Sequence, residues 1–341
     1  MTDQALRERL QQAGYIADEE LATTLWLAGE LARPLLVEGD AGVGKTALAA
    51  AFARAHGRRL VRLQCHEGID LSQAAYEWNY GRQLLAIRLH EKQPDKVHES
   101  DLFTREYLLE RPLLQAISSA EPCVLLIDEV DRADEAFEAF LLEVLADYQI
   151  TVPELGTVRA RHVPQVVLTS NATRELSDAL RRRCLYHYLE YPTLAREIAI
   201  VRATLPEAEG ELIEQAVTFV QRLRREDLAK TPGIAETLDW IRALHRLELK
   251  ALPDDAKALM VTLGCLLKTR RGPLPGHARS TTAHRRGSAP GRARSECLTN
   301  ALRGTDVLSI NDLKGVAPWS SWPFSCVSKP NPARSRRSSA S

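Results

Sequence analysis

Eight residues, Gly39-Asp40-Ala41-Gly42-Val43-Gly44-Lys45-Thr46, constrain this chain more than any other feature. They satisfy the pattern GxxxxGK[ST]. They stand between the apolar run Leu35–Gly39 and an alanine-rich stretch, Thr46–Gly57, that reads as a helix with a glycine stop. The glycines let the backbone wrap closely, so that several N–H groups point at bound phosphates. The helix N-terminus adds its dipole, Lys45 adds a full charge near the β- and γ-phosphates, and the Thr46 hydroxyl can ligate Mg²⁺. A loop of this kind needs an apolar strand behind it and a helix in front. It therefore predicts an α/β fold that binds a nucleoside triphosphate.

The pattern on either side agrees. Leu60–Cys65, Cys123–Asp128, Gln165–Asn171 and Leu185–Tyr191 read as further apolar strands. Pro112–Ala120 and Phe137–Tyr148 read as helices, and Gln149–Ala160 as a hairpin turning near Glu154–Gly156. Strands alternating with helices predict a parallel sheet covered on both faces, an αβα sandwich, over residues 33–192. Residues 1–32 read as a helical segment broken near Gly14. After Pro192 the strands cease, and amphipathic patterns predict a small helical domain over 193–268. In it Leu212, Ile213, Ala216, Val217, Val220 and Leu223 form one stripe, and Thr231-Pro232 reads as a helix start. Residues 66–105 are polar and receive no assignment.

Net charge is zero, 45 Lys+Arg against 45 Asp+Glu, but the average hides a split. Residues 1–268 carry 32 basic and 42 acidic side chains, and residues 269–341 carry 13 and 3. An acidic core argues against a duplex-binding surface on it. The last 73 residues hold 11 Arg, 12 Ser, 7 Pro and 6 Gly without period, so residues 269–341 are expected to be disordered or an out-of-frame translation. The N-terminus has no signal-peptide pattern, and no apolar run is long enough to span a bilayer, so a cytoplasmic protein is expected. The six cysteines, at 65, 123, 184, 265, 297 and 326, have no zinc-binding spacing and read as reduced thiols.

Three further elements carry chemistry. Val124-Leu125-Leu126-Ile127-Asp128-Glu129 places a carboxylate pair at the C-terminal edge of a buried strand, where ligands bind in such sheets. Asp128 would hold Mg²⁺, largely through water, and Glu129 would activate the attacking water as general base. Asn171, at the tip of the next strand, can position that water. Arg181-Arg182-Arg183 offers an arginine finger for a neighbouring subunit's ATP.

In this order GDAGVGKT, LLIDEVDRAD, LTSN and DALRRR resemble an AAA+ ATPase, and the span from about Pro34 to Leu249 is similar to the MoxR group. VRLQCHEGIDLSQAAYEWNYGRQLL, FEAFLLEVLADYQITVPELGTV and KTPGIAETLDW resemble the subgroup associated with carbon monoxide dehydrogenase-type molybdenum hydroxylases. The resemblance implies an αβα ATPase core with a helical lid, ATP and Mg²⁺ as cofactors, and a homo-oligomeric ring, commonly a hexamer. It also implies chaperone-like remodelling beside a von Willebrand factor A domain protein, in the maturation of a metal-containing enzyme. It places phosphate binding on Gly39 to Thr46, Mg²⁺ and water activation on Asp128 and Glu129, the sensor on Asn171, and the finger on Arg183 with Arg182 second. The hairpin and Trp78-Asn79-Tyr80 fall where the family carries insertions that face a pore. The chain departs from many relatives in having no arginine in Thr231–Glu236, where a second sensor is common, and Arg242 is not assigned that role. The alternatives are a nucleotide-dependent assembly module with negligible turnover, a monomeric phosphotransferase and a DNA-directed relative. Glu129, Asn171 and the lid argue against the phosphotransferase.

Overall fold

The computed structural model describes residues 2–90, 99–225, 230–253, 259 and 261–267. The expectation for residues 269–341 lies outside the described residues, as do residues 254–258, 260 and 268 of the expected helical domain.

The chain opens with two capped helices, α1 (Asp3–Gln12) and α2 (Glu19–Glu30). The Asp18 side chain accepts from the Leu21 amide at 2.8 Å to start the second. Then come β1 (Leu35–Glu38), α3 (Lys45–Ala55) and β2 (Arg59–Gln64). The stretch that carried no assignment folds into short pieces: α4 (Leu71–Ala74), β3 (Tyr76–Trp78), α5 (Tyr80–His90), α6 (Glu99–Leu102) and β4 (Leu108–Glu110). Strands β3 and β4 pair antiparallel. The core continues with α7 (Pro112–Ile117), β5 (Cys123–Asp128) and α8 (Glu135–Asp147). It is completed by the hairpin β6 (Gln149–Val152) and β7 (Gly156–Arg159), then β8 (Gln165–Ser170), α9 (Asp178–Arg183) and β9 (Leu185–Tyr188).

Five strands form one parallel sheet in the order β2-β5-β8-β1-β9. Strands β5 and β8 are buried at every position, which is why they read as continuous apolar runs. Alternate residues serve opposite faces. Leu35, Val37, Val124 and Leu126 pack under α1, α2 and α3, while Leu36, Leu125, Ile127 and Leu168 pack against α7 and α8. At about 1.5–3 kcal/mol for each large apolar side chain taken from water, these two layers hold the sheet between helices. Within residues 1–32, Leu6, Leu10, Leu21 and Leu25 belong to the same cluster as α3 and the sheet.

The lid follows as α10 (Leu194–Thr204), α11 (Gly210–Leu223) and α12 (Ile234–Arg246). The expected α11 stripe is buried, against Trp240, Ile241 and Leu244 of α12. The start of α12 differs from expectation. Its N-cap is Gly233 rather than Thr231, and the Gly233 amide donates to Glu236 Oε2 at 3.1 Å. The reason is steric. A Cβ on Gly233 would lie 2.6 Å from the Gly42 Cα, and one on Gly42 would lie 2.8 Å from the Gly233 Cα. The cap falls where two backbones touch, and only glycine at both positions allows it.

Candidate active site

The phosphate loop, the end of β5 and the tip of β8 meet at the carboxyl edge of the sheet. Strand β8 lies between β1 and β5, so Asn171 stands between the loop's lysine and the β5 carboxylates. Lys45, the first residue of α3, is buried. Its Nζ donates to Gly39 O at 2.6 Å, Asp40 O at 2.8 Å and Asn171 Oδ1 at 2.8 Å. Burial pushes its pKa down, partly opposed by the charges of Asp131, Asp40, Asp128 and Glu129. The Thr46 hydroxyl donates to Asp128 Oδ1 at 3.0 Å. Asp128 also accepts from the Thr169 hydroxyl at 2.6 Å. A hydroxyl and a carboxylate meeting at the foot of the loop form an all-oxygen pair of the kind Mg²⁺ prefers.

Glu129 sits in the left-handed region (φ 56°, ψ 49°), rare for a residue with a side chain. That turn aims its carboxylate across the sheet edge. Its Oε1 accepts from Asn171 Nδ2 at 3.4 Å, and its Oε2 from Gln64 Nε2 at 3.1 Å, with Arg132 Nε also 3.1 Å away. Thus Lys45, Thr46, Asp128, Glu129 and Asn171 are brought together as the sequence suggests.

The arginine trio is not in this cleft. Arg183 Nε donates to Leu145 O at the end of α8 at 3.3 Å, and Arg181 lies over the Tyr186 ring. The Arg182 side chain is exposed and points to no partner among the described residues. Arg33 fixes the end of α9 by donating to Arg183 O at 3.1 Å and Arg182 O at 2.6 Å. Within one subunit Arg183 acts as a brace through its bond to Leu145 O, and the Arg182 side chain is left exposed. Trp78 does not stand outward as a pore-facing position would. It is buried, edge-on to Phe103 at 5.2 Å, whereas Tyr80 is exposed.

Sequence reasoning missed several contributors. Asp131 is buried behind the sensor and accepts from the Asn171 amide at 3.2 Å and from the Thr173 amide and hydroxyl at 3.0 and 2.6 Å. A cavity of about 420 Å³ runs from the loop to the lid, within the range of small-ligand sites. Beyond the phosphates its walls are Tyr15 and Ile16 after α1, Ile200 of α10, and Leu238 of α12, an apolar slot suited to a flat base. No arginine stands at the start of α12, and Arg242 pairs with Asp239 on the surface. Arg196 of α10 lines the cavity instead, with its guanidinium bound to Ile16 O at 3.1 and 2.9 Å and to Asp18. Two contacts join loop to lid: Ile234 N donates to Gly42 O at 2.9 Å, and the Tyr191 hydroxyl to Ala41 O at 3.2 Å.

Residues 34–184 match the family model of the AAA domain, dynein-related subfamily. Over that span the chain is similar to an AAA domain. Among curated relatives, the gas vesicle ATPase GvpN of Haloferax mediterranei is 28% identical over 208 residues, 58% of each chain. GvpN1 of Halobacterium salinarum is 27% identical over the same length and shares. This chain thus spans under two thirds of the relatives it matches. The Thermotoga maritima RuvB Holliday junction branch migration motor aligns at 18% identity and TM-score 0.41, covering 76% of this chain and 68% of that one. Among the described residues, no helix is long and apolar enough to cross a membrane, and no group of three or more His, Cys, Asp or Glu could hold a metal ion.

Proposed function

We infer that this chain carries an AAA domain that binds ATP with Mg²⁺ and hydrolyses it. The observation that carries this reading is the convergence of Lys45, Asn171 and Glu129 on one point, with Thr46 and Asp128 beside them. Lys45 and the loop amides would hold the phosphates. Thr46 and Asp128 would hold Mg²⁺, which supplies charge neutralisation on the phosphate oxygens. Glu129 accepts the proton of the attacking water, and the Asn171 amide, already bonded to Glu129, fixes where that water stands. A phosphotransferase has no need of a carboxylate and an amide converging on a water position.

Around this chemistry the reading extends to a MoxR-type ring of identical subunits, commonly six, that couples hydrolysis to remodelling a protein client in the cytoplasm. The motifs of residues 61–85 and 137–158 support a metal-containing enzyme of the molybdenum hydroxylase kind as client, with a von Willebrand factor A domain protein as partner. The relatives named gas vesicle ATPases support the ATPase itself. The test is Glu129→Gln. It should bind ATP as the parent does and lose hydrolysis by about 10²–10⁴, the range for a general base. Near-parent turnover in that variant removes Glu129 from its role and overturns the reading.

A further inference from the structure

Asp128 is held by an arginine that phosphate binding does not require. Arg62 lies on β2 in register with Leu126 of β5, and its side chain reaches forward along the strand to Asp128. Arg62 Nη2 stands 2.6 Å from Asp128 Oδ2. The same nitrogen donates to Gln64 Oε1 at 2.6 Å, and Gln64 Nε2 in turn donates to Glu129 Oε2 at 3.1 Å. The Asp128 side chain is 4% exposed and that of Arg62 is 52% exposed. A carboxylate so far from water needs a counter-charge, and Arg62 is the cation within hydrogen-bond reach of it.

We propose that Arg62 is a built-in counter-cation that competes with Mg²⁺ for Asp128. The proposal rests on reading Thr46 and Asp128 as the metal pair. Three facts support the competition. Thr46 lies 3.0 and 3.3 Å from the two carboxylate oxygens, so the carboxylate it would share with the metal is the one whose Oδ2 Arg62 already occupies. Two cations on one carboxylate repel, so a guanidinium that stays still weakens the metal. A half-exposed guanidinium on a flexible stem can also leave for water at little cost, which makes the exchange feasible. Departure would not stop at Asp128. Gln64 loses the donor that orients its amide, and with it Glu129 loses a fixed partner. No sequence motif marks this device, because Arg62 and Gln64 read only as the exposed face of an amphipathic edge strand.

Mn²⁺ uptake by the full chain with ADP, followed by electron paramagnetic resonance, tests the proposal without turnover. In Arg62→Met the Mn²⁺ dissociation constant should fall about five- to tenfold, the effect of removing one partly screened charge. Its melting temperature in EDTA should drop below the parent's, and Mn²⁺ with ADP should restore more of it than in the parent. Arg62→Lys keeps a charge without the planar fork. Its Mn²⁺ affinity should rise by about twofold, and it gives the readout if the methionine variant does not fold. Equal or weaker Mn²⁺ affinity in a folded variant overturns the role of Arg62 while leaving the metal pair standing. If the parent with ADP takes up no more Mn²⁺ than ADP alone, the metal pair itself is overturned, and the proposal with it.

Discussion

Asp131 shows how much of the site depends on a residue that touches no substrate. Burial pushes its pKa up, but the Thr173 hydroxyl and amide and the Asn171 amide more than compensate, and the carboxyl is held below its usual range. A depressed carboxylate contributes stability above its unfolded pKa and loses it as pH falls through the folded value. Asp131→Asn swaps one acceptor oxygen for a donor and faces three donors. It should cost about 1–3 kcal/mol, seen as a lower melting temperature, and should lower turnover by letting Asn171 drift. A melting temperature equal to the parent's would remove Asp131 from this role. Two histidines work in the opposite charge sense. Burial lowers the pKa of His187 and of His56 below 6.5, so below that pH the unfolded chain binds more protons than the folded one. Stability should therefore fall as pH drops below about 6.5, and His187→Gln should flatten that limb of the melting curve. The arginine trio separates in the same way: Arg183→Ala should lower the melting temperature, through the lost bond to Leu145 O, whereas Arg182→Ala should leave it unchanged.

Among elements, α12 decides how the lid meets the phosphate loop. Gly233→Ala would place a methyl 2.6 Å from Gly42 Cα and 2.9 Å from Gly42 O, both backbone atoms that cannot step aside. The helix must lift, taking Ile234 N off Gly42 O, and ATP affinity should fall about tenfold in a nucleotide titration, in line with the cost of overpacking. Unchanged affinity would mean that the lid is not docked on the loop when nucleotide binds. The buried pair of Arg224 and Glu197 secures the same junction, with Thr237 and Pro232 O as further partners. Glu197→Gln should cost about 3–5 kcal/mol, because it strands a guanidinium only 6% exposed. These elements differ in how legible they were. Strands β1, β5 and β8 announce themselves because burial on both faces leaves mostly apolar residues. The phosphate loop, Asp128, Glu129 and Asn171 follow because each ends such a strand. Residues 66–105 did not read, since α4, α6 and β3 are too short to show a period, and β4 just beyond them is three residues long. Arg62, Gln64, Tyr15 and Arg196 did not read either. Their partners lie many tens of residues away, and pairing in a parallel sheet leaves no local pattern.

For the whole molecule, the separation of the arginine trio from the cleft matters most. Arg182 is exposed and its side chain has no partner among the described residues, which suits a group completing a neighbour's site. Turnover per subunit should then rise steeply with protein concentration and saturate. Arg182→Ala should lower it by on the order of 10² or more, as loss of an arginine finger does. Mixing that variant with Glu129→Gln should restore a fraction of intact sites. A rate independent of concentration would instead mark each cleft as complete in itself. Strand β1 then acquires a mechanical meaning. It is four residues long, roughly 13 Å at the usual rise of a strand, and is clamped by neighbours on both sides. Arg33, one residue ahead of it but for Pro34, grips the helix that carries the arginines, and the phosphate loop leaves its far end. In a ring, β1 is thus a short tie rod, and the pull that a subunit's arginines feel from next door is in series with the hold it keeps on its own nucleotide.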